Sequence, residues 1–179
     1  MNQNAPETAV IIGSPLSQVE TALAKYKAGW LVSAINKDTM LETPASLQAT
    51  RHLKLAMNDI SAARDGFVLP SDDHVKRLVQ FVDGWDMSQP ILVHCWAGVS
   101  RSTAGVYISL CHLNPNHDEG EIAAMLRQAS PTATPNMRLI ALADDYLGRE
   151  GRMIAAIDKI GRGEMTYEGQ VFSVKALLS

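Results

Sequence analysis

The 179-residue chain reads as an α/β domain on a largely parallel sheet of about four to five strands, flanked by helices. Three observations predict it. Short apolar runs alternate with stripes of helical period. One run ends in a cluster of small residues that opens straight into a helix. The length suits one core, so residues 1–179 read as a single domain, with 161–179 as a tail of undetermined docking.

The strand candidates are residues 8–12, 30–35, 53–57 and 91–94. In the third, Leu53, Leu55 and Met57 share one face and Lys54 takes the other. The first helical stripe covers 16–26. The second follows "PSDD", where Ser71, Asp72 or Asp73 can cap it, and runs through Val75, Leu78, Val79, Val82 and Trp85. Residues 102–113 are apolar nearly all round, which predicts a central buried helix ended by Asn114-Pro115. Further stripes are Ile122, Leu126 and Ala129, then Leu139, Ala143 and Leu147, then Met153, Ile154, Ile157 and Ile160. These later helices should cover one face of the sheet. The tail carries a strand-like "QVFSVKAL".

Composition narrows the function. Apolar residues make up 46% and the net charge is −3, with basic residues dispersed, so neither nucleic acid nor anionic lipid is an expected partner. No run approaches the ~20 apolar residues of a membrane span. The start, "MNQNAPETAV", lacks the cationic and apolar regions of a leader, and there are two cysteines, so a reducing cytoplasm is the expected compartment. Cys95 and Cys111 are therefore expected as free thiols.

The chemistry concentrates in "ILVHCWAGVSRS", residues 91–102. Cys95 stands where a strand gives way to a helix. Backbone amides of the turn and the helix N-terminus favour negative charge there, which means a nucleophilic thiolate. Gly98 can take positive φ and let the amides of Trp96, Ala97, Gly98, Val99, Ser100 and Arg101 converge. The Arg101 guanidinium can bind two oxygens of a phosphate, and Ser102 can donate to the sulfur as it leaves. Attack on phosphorus also needs an acid for the leaving oxygen. In a parallel sheet, ligands bind beyond the carboxyl ends of the strands, and the 53–57 strand leads into Asn58-Asp59. Asp59 is the favoured acid and, in a second step, the base for water. Asp65, Asp72 and Asp73 are rivals, the last two more simply helix caps. A turn formed by Asn58-Asp59 alone is the plain alternative.

"HCWAGVSRS" resembles the signature loop of cysteine-dependent protein tyrosine phosphatases, matching at His94, Cys95, Gly98, Arg101 and Ser102. The position of "ND" upstream and the stretch "LPSDDHVKRLVQFVDGW" look like the dual-specificity branch. The resemblance implies hydrolysis of phosphate monoesters without metal or other cofactor, on a phosphorylated protein or a small phosphomonoester. It covers roughly residues 30–147 as architecture. No tyrosine-bearing loop deepens the pocket, and no lysine stands between Cys95 and Arg101, a feature that disfavours phosphoinositides. Cys-x5-Arg also occurs in some sulfurtransferases and arsenate reductases, so these remain alternatives beside a non-catalytic phosphate-binding module. His94 is expected to bond the loop backbone. Cys111 is expected to pack in the core, about 15 Å along its helix from the helix start. His112 and His117 belong to a helix end and a loop, and "SPTATPN", 130–136, to a connector, with Asn136 near the pocket as the less favoured reading.

Overall fold

The structure, a computed structural model, describes residues 6–178, so residues 1–5 of the N-terminal stretch and Ser179 of the tail lie outside the described residues. Four strands, β1 (Val10–Pro15), β2 (Trp30–Ile35), β3 (His52–Ala56) and β4 (Ile91–Cys95), are mutually parallel, and β5 (Phe172–Lys175) closes one edge antiparallel to β1. The order is β3-β2-β4-β1-β5. All four parallel strands therefore end at one rim, where Pro15, Ile35, Ala56 and Cys95 sit.

The predicted first strand begins two residues too early and stops three too soon. Gly13, Ser14 and Pro15 do not look like strand formers, yet each pairs with β4. Gly13 is needed for contact: a Cβ there would lie 2.1 Å from the Phe172 ring, so its absence lets β5 dock. That contact and the alternating burial of Phe172 and Val174 answer where the tail goes.

The sheet has a thin and a thick side. On the thin side, Ile12, Leu31 and Leu92 pack under α1 (Val19–Tyr26), which is entered through a short 3₁₀ turn. On the thick side, Val32, Ala34, Leu55, Ile91 and Val93 meet α2 (Asp72–Asp83), α3 (Arg101–Leu113), α4 (Glu119–Ala129), α5 (Met137–Tyr146) and α6 (Arg152–Ile160). Helix α3 is central as predicted, buried from Arg101 through Cys111. Ser71 caps α2, and His74 fills the reciprocal position of the capping box: the Ser71 amide donates to His74 Nδ1 at 3.0 Å. His74 Nε2 is then the donor to Ala56 O, 3.1 Å away, which ties α2 to the end of β3. Among the described residues no helix is long and apolar enough to cross a membrane.

One buried ion pair joins the helical layer. Arg149 donates to Glu119 at 2.9 Å and to the Pro115 carbonyl at 3.0 Å, with both side chains under a tenth exposed. Arg149→Ala would leave Glu119 with only the half-exposed Arg152 in a dry site. Urea denaturation should show a loss of about 3–5 kcal/mol, and a loss under about 1 kcal/mol would mean the pair is solvated.

Candidate active site

Cys95, Trp96, Ala97, Val99, Ser100, Arg101 and Asp59 line one open cavity of about 460 Å³ at the rim of the sheet. Residues 96–100 form a loop in which four of the five carbonyls are held from outside. Leu16 N–H donates to Trp96 O at 3.0 Å, Gly169 N–H to Ala97 O at 2.8 Å, Thr134 N–H to Val99 O at 2.9 Å and Asn136 N–H to Ser100 O at 3.3 Å. The amides of Ala97, Gly98, Val99 and Ser100 have no acceptor among the described residues. The loop is thus a concavity of unused donors at the head of α3, suited to an anion. Gly98 makes the curl, at φ +70°, and a Cβ there would lie 2.6 Å from the Pro15 amide nitrogen.

Cys95 Sγ lies 3.2 Å from Ser102 Oγ, so that hydroxyl can donate to a thiolate. Arg101 is buried, and one of its ends is fixed: Nη1 donates to Asn36 Oδ1 and to Met57 O, each at 2.8 Å. Its Nε has no hydrogen-bond partner among the described residues. A buried guanidinium N–H left open beside a nest of amides is what an oxyanion would satisfy.

Asp59 faces this loop. Ser100 Oγ and Asn136 Nδ2 both donate to its Oδ1 at 2.8 Å, which leaves Oδ2 for the cavity. Asn58 does not merely turn the chain. Its backbone N–H donates to Val68 O and its side chain accepts from Val68 N–H, both at 2.8 Å, which closes residues 59–67 into a loop. Of the rival acids, Asp72 and Asp73 start α2, and neither they nor Asp65 line the cavity.

Asn136 requires a correction. The preferred reading made 130–136 a plain connector, but Asn136 caps α5, accepting from the amides of Arg138 and Leu139, while its Nδ2 holds Asp59. An Asn after prolines and before an apolar stripe signals the cap; its second bond needs the tertiary fold. The tail was also missed. Arg162, Glu164, Met165 and Thr166 form one wall of the cavity. Glu168, which accepts from Ser17 Oγ at 2.8 Å, and Gly169, on Ala97 O, pin this strap. Trp96 is 51% exposed beside Cys95.

His94 Nδ1 lies 3.4 Å from Cys95 O, as expected for a loop-supporting residue. Burial is the main cause that drops its pKa to about 4, and the neighbouring His52, buried beside Lys54, falls to about 4 as well. Cys111 is buried in α3, and burial pushes its thiol up to about 12. His112 meets Asp83 at 2.6 Å, and His117 lies in the turn after α3.

No protein-family model matches the chain. No curated protein matches it either. Solved structures do. DUSP15 is similar over 87% of this chain and 94% of its own, at 14% identity and a TM-score of 0.63. The human tyrosine phosphatase-like serine/threonine/tyrosine-interacting protein is similar over 78% and 92%, at 18% identity and 0.60. Human DUSP28 is similar over 78% and 92%, at 17% identity and 0.60.

Two outcomes are expected. Both histidines take up protons more readily unfolded than folded, so stability is full above about 6.5 and is lost as pH falls towards about 4. Thermal melts across that window should show a falling Tm; a flat Tm would mean the two rings are solvated. Gly98→Ala should keep the far-ultraviolet circular dichroism and lose phosphate and vanadate binding by at least about tenfold, since strain and a backbone clash meet at one residue. Unchanged binding would show that the curl does not make the site. By its sheet order, its helical layer and its likeness to these structures, the chain has the fold of the dual-specificity branch of cysteine-dependent tyrosine phosphatases.

Proposed function

We propose that the protein hydrolyses phosphate monoesters through a phosphocysteine on Cys95, as a protein tyrosine or dual-specificity phosphatase. The observation that carries this reading is the convergence of Cys95, Arg101 and Asp59 on one cavity around unused loop amides.

In the first step the Cys95 thiolate attacks phosphorus. The S–P bond forms as the bond to the leaving oxygen breaks, and Asp59 gives that oxygen a proton. The amides of 96–101 and the Arg101 guanidinium hold the equatorial oxygens as charge shifts. In the second step Asp59, now ionised, takes a proton from water. The oxygen of that water bonds to phosphorus, the S–P bond breaks, and Ser102 donates a hydrogen bond to the departing thiolate. Asn136 and Ser100 aim Asp59 in both steps.

The wide mouth between Trp96 and the 162–166 strap suits an aryl or alkyl phosphate on a polypeptide as well as a small phosphomonoester. The strap makes residues 161–170 part of the same catalytic unit. A reducing compartment such as the cytoplasm would keep Cys95 reduced. Thiol exchange of the arsenate-reductase kind is disfavoured by the inert, buried Cys111.

Hydrolysis of p-nitrophenyl phosphate should persist in chelator and vanish in Cys95→Ser, while Cys111→Ser stays near the wild-type rate. Turnover that survives Cys95→Ser, or that requires added metal, overturns the mechanism. Asp59→Asn should slow alkyl phosphates by about 10²–10⁴-fold and good leaving groups far less. An equal effect on both classes, or a larger effect from Asp65→Asn, removes Asp59 from the role of acid.

A further inference from the structure

The thin side of the sheet carries a line of polar groups that the mechanism above leaves idle. Beyond the apolar Ile12, Leu31 and Leu92, three strands present His52, Ser33 and His94 in succession, all buried. Register dictates this. Ser33 pairs with His94 on one side and with Lys54 on the other, and His52 lies two residues from Lys54 on the same face. Ser33 Oγ is 2.6 Å from His94 Nε2 and 2.8 Å from His52 Nε2. The half-buried Thr43, on the loop leading to β3, puts its hydroxyl 2.9 Å from His52 Nδ1.

We propose that Thr43, His52 and Ser33 form a proton-ordered relay that fixes the tautomer of His94 and thereby positions the loop after Cys95. The order follows from counting protons. The Cys95 carbonyl can only accept, so His94 Nδ1, which faces it, carries the ring proton. His94 Nε2 is then an acceptor, and the single proton of Ser33 goes to it. Ser33 Oγ must in turn accept from His52 Nε2–H. That leaves His52 Nδ1 bare, to accept from Thr43 O–H. Four hydrogen bonds point one way, from a loop at the sheet's edge to the carbonyl of the nucleophile. The opposite order would set a lone pair of His94 against that carbonyl. Both rings are neutral at working pH; Lys54 and Glu42 flank His52, and Arg101 and His52 flank His94.

The consequence for catalysis rests on the phosphatase reading. With Cys95 O drawn towards His94, the next peptide units curl with their amides inward. Without the relay the ring can turn, and the nest loosens. Ser33, His52 and Thr43 touch no reacting atom and are positioning residues.

Nitrogen-15 correlation spectra of the histidine rings at neutral pH test the order directly, whether or not the protein turns over substrate. The expected result is His94 protonated on Nδ1 alone and His52 on Nε2 alone. In Thr43→Val, His52 should populate both tautomers, and Thr43→Ser should restore one. Ser33→Ala should weaken vanadate inhibition and lower kcat/KM by about tenfold, the order of one lost buried hydrogen bond. Thr43→Val should move both in the same direction by a few-fold, with rescue by Thr43→Ser; being on a loop, it keeps the test open if Ser33→Ala does not fold. His94 protonated on Nε2, or mixed tautomers in the wild type, overturns the relay. Ordered tautomers with vanadate inhibition unchanged in both variants overturn its positioning role.

Discussion

Everything at the site depends on where the carbonyls of residues 95–100 point. A peptide unit that turns its oxygen outward turns its N–H inward. Here four of the outward oxygens, those of residues 96, 97, 99 and 100, are claimed by donors from widely separated parts of the chain: Leu16 after β1, Gly169 in the tail, and Thr134 and Asn136 before α5. Ala97, Gly98 and Ser100 are small, and the one large side chain, Trp96, is half exposed, so packing does little to hold the loop's shape. Its geometry is therefore a property of the whole fold, and a change near Leu16 or Gly169 reaches the pocket through one hydrogen bond.

The same logic assigns work to the two sides of the sheet. The thick side, with five helices, supplies rigidity and delivers the head of α3 to the rim. The thin side, under α1 and the loop before β3, has room for polar groups, and there the Thr43–His52–Ser33–His94 line lies. Asp59 and Cys95 come from neighbouring regions of one rim, since β3 and β4 both flank β2. Arg101 is steadied from the same rim, by Asn36 after β2 and by Met57 after β3. The tail then adds a wall. Strand β5 anchors on Gly13, and the segment before it crosses the mouth of the cavity.

Much of this was legible in the sequence, for reasons that differ by residue. The strands at 30–35 and 91–94 and the buried helix after them are apolar enough that period and length define them. Cys95, Gly98, Arg101 and Ser102 are legible because chemistry and spacing coincide in one short stretch. Asp59 followed from the rule that parallel strands present ligands at their carboxyl ends. That rule, applied to β2, would also have pointed to Asn36. Ser33 carried a usable signal too: a hydroxyl inside "WLVSAI" must find a partner if the strand is buried. The strap, the second bond of Asn136 and the His52 relay were not legible. Each depends on a contact across more than fifteen residues, between groups that look ordinary in their own neighbourhoods.

The central claim is that a phosphoryl group resides on Cys95 during turnover. Acid quench of an Asp59→Asn variant during hydrolysis of a good leaving-group substrate, followed by mass spectrometry of its peptides, reads this directly. Attack should proceed without the acid while breakdown lacks its base, so phosphate should accumulate on the peptide bearing Cys95 and nowhere else. Turnover with no phosphorylated peptide, or with phosphate on a peptide lacking Cys95, would contradict the account.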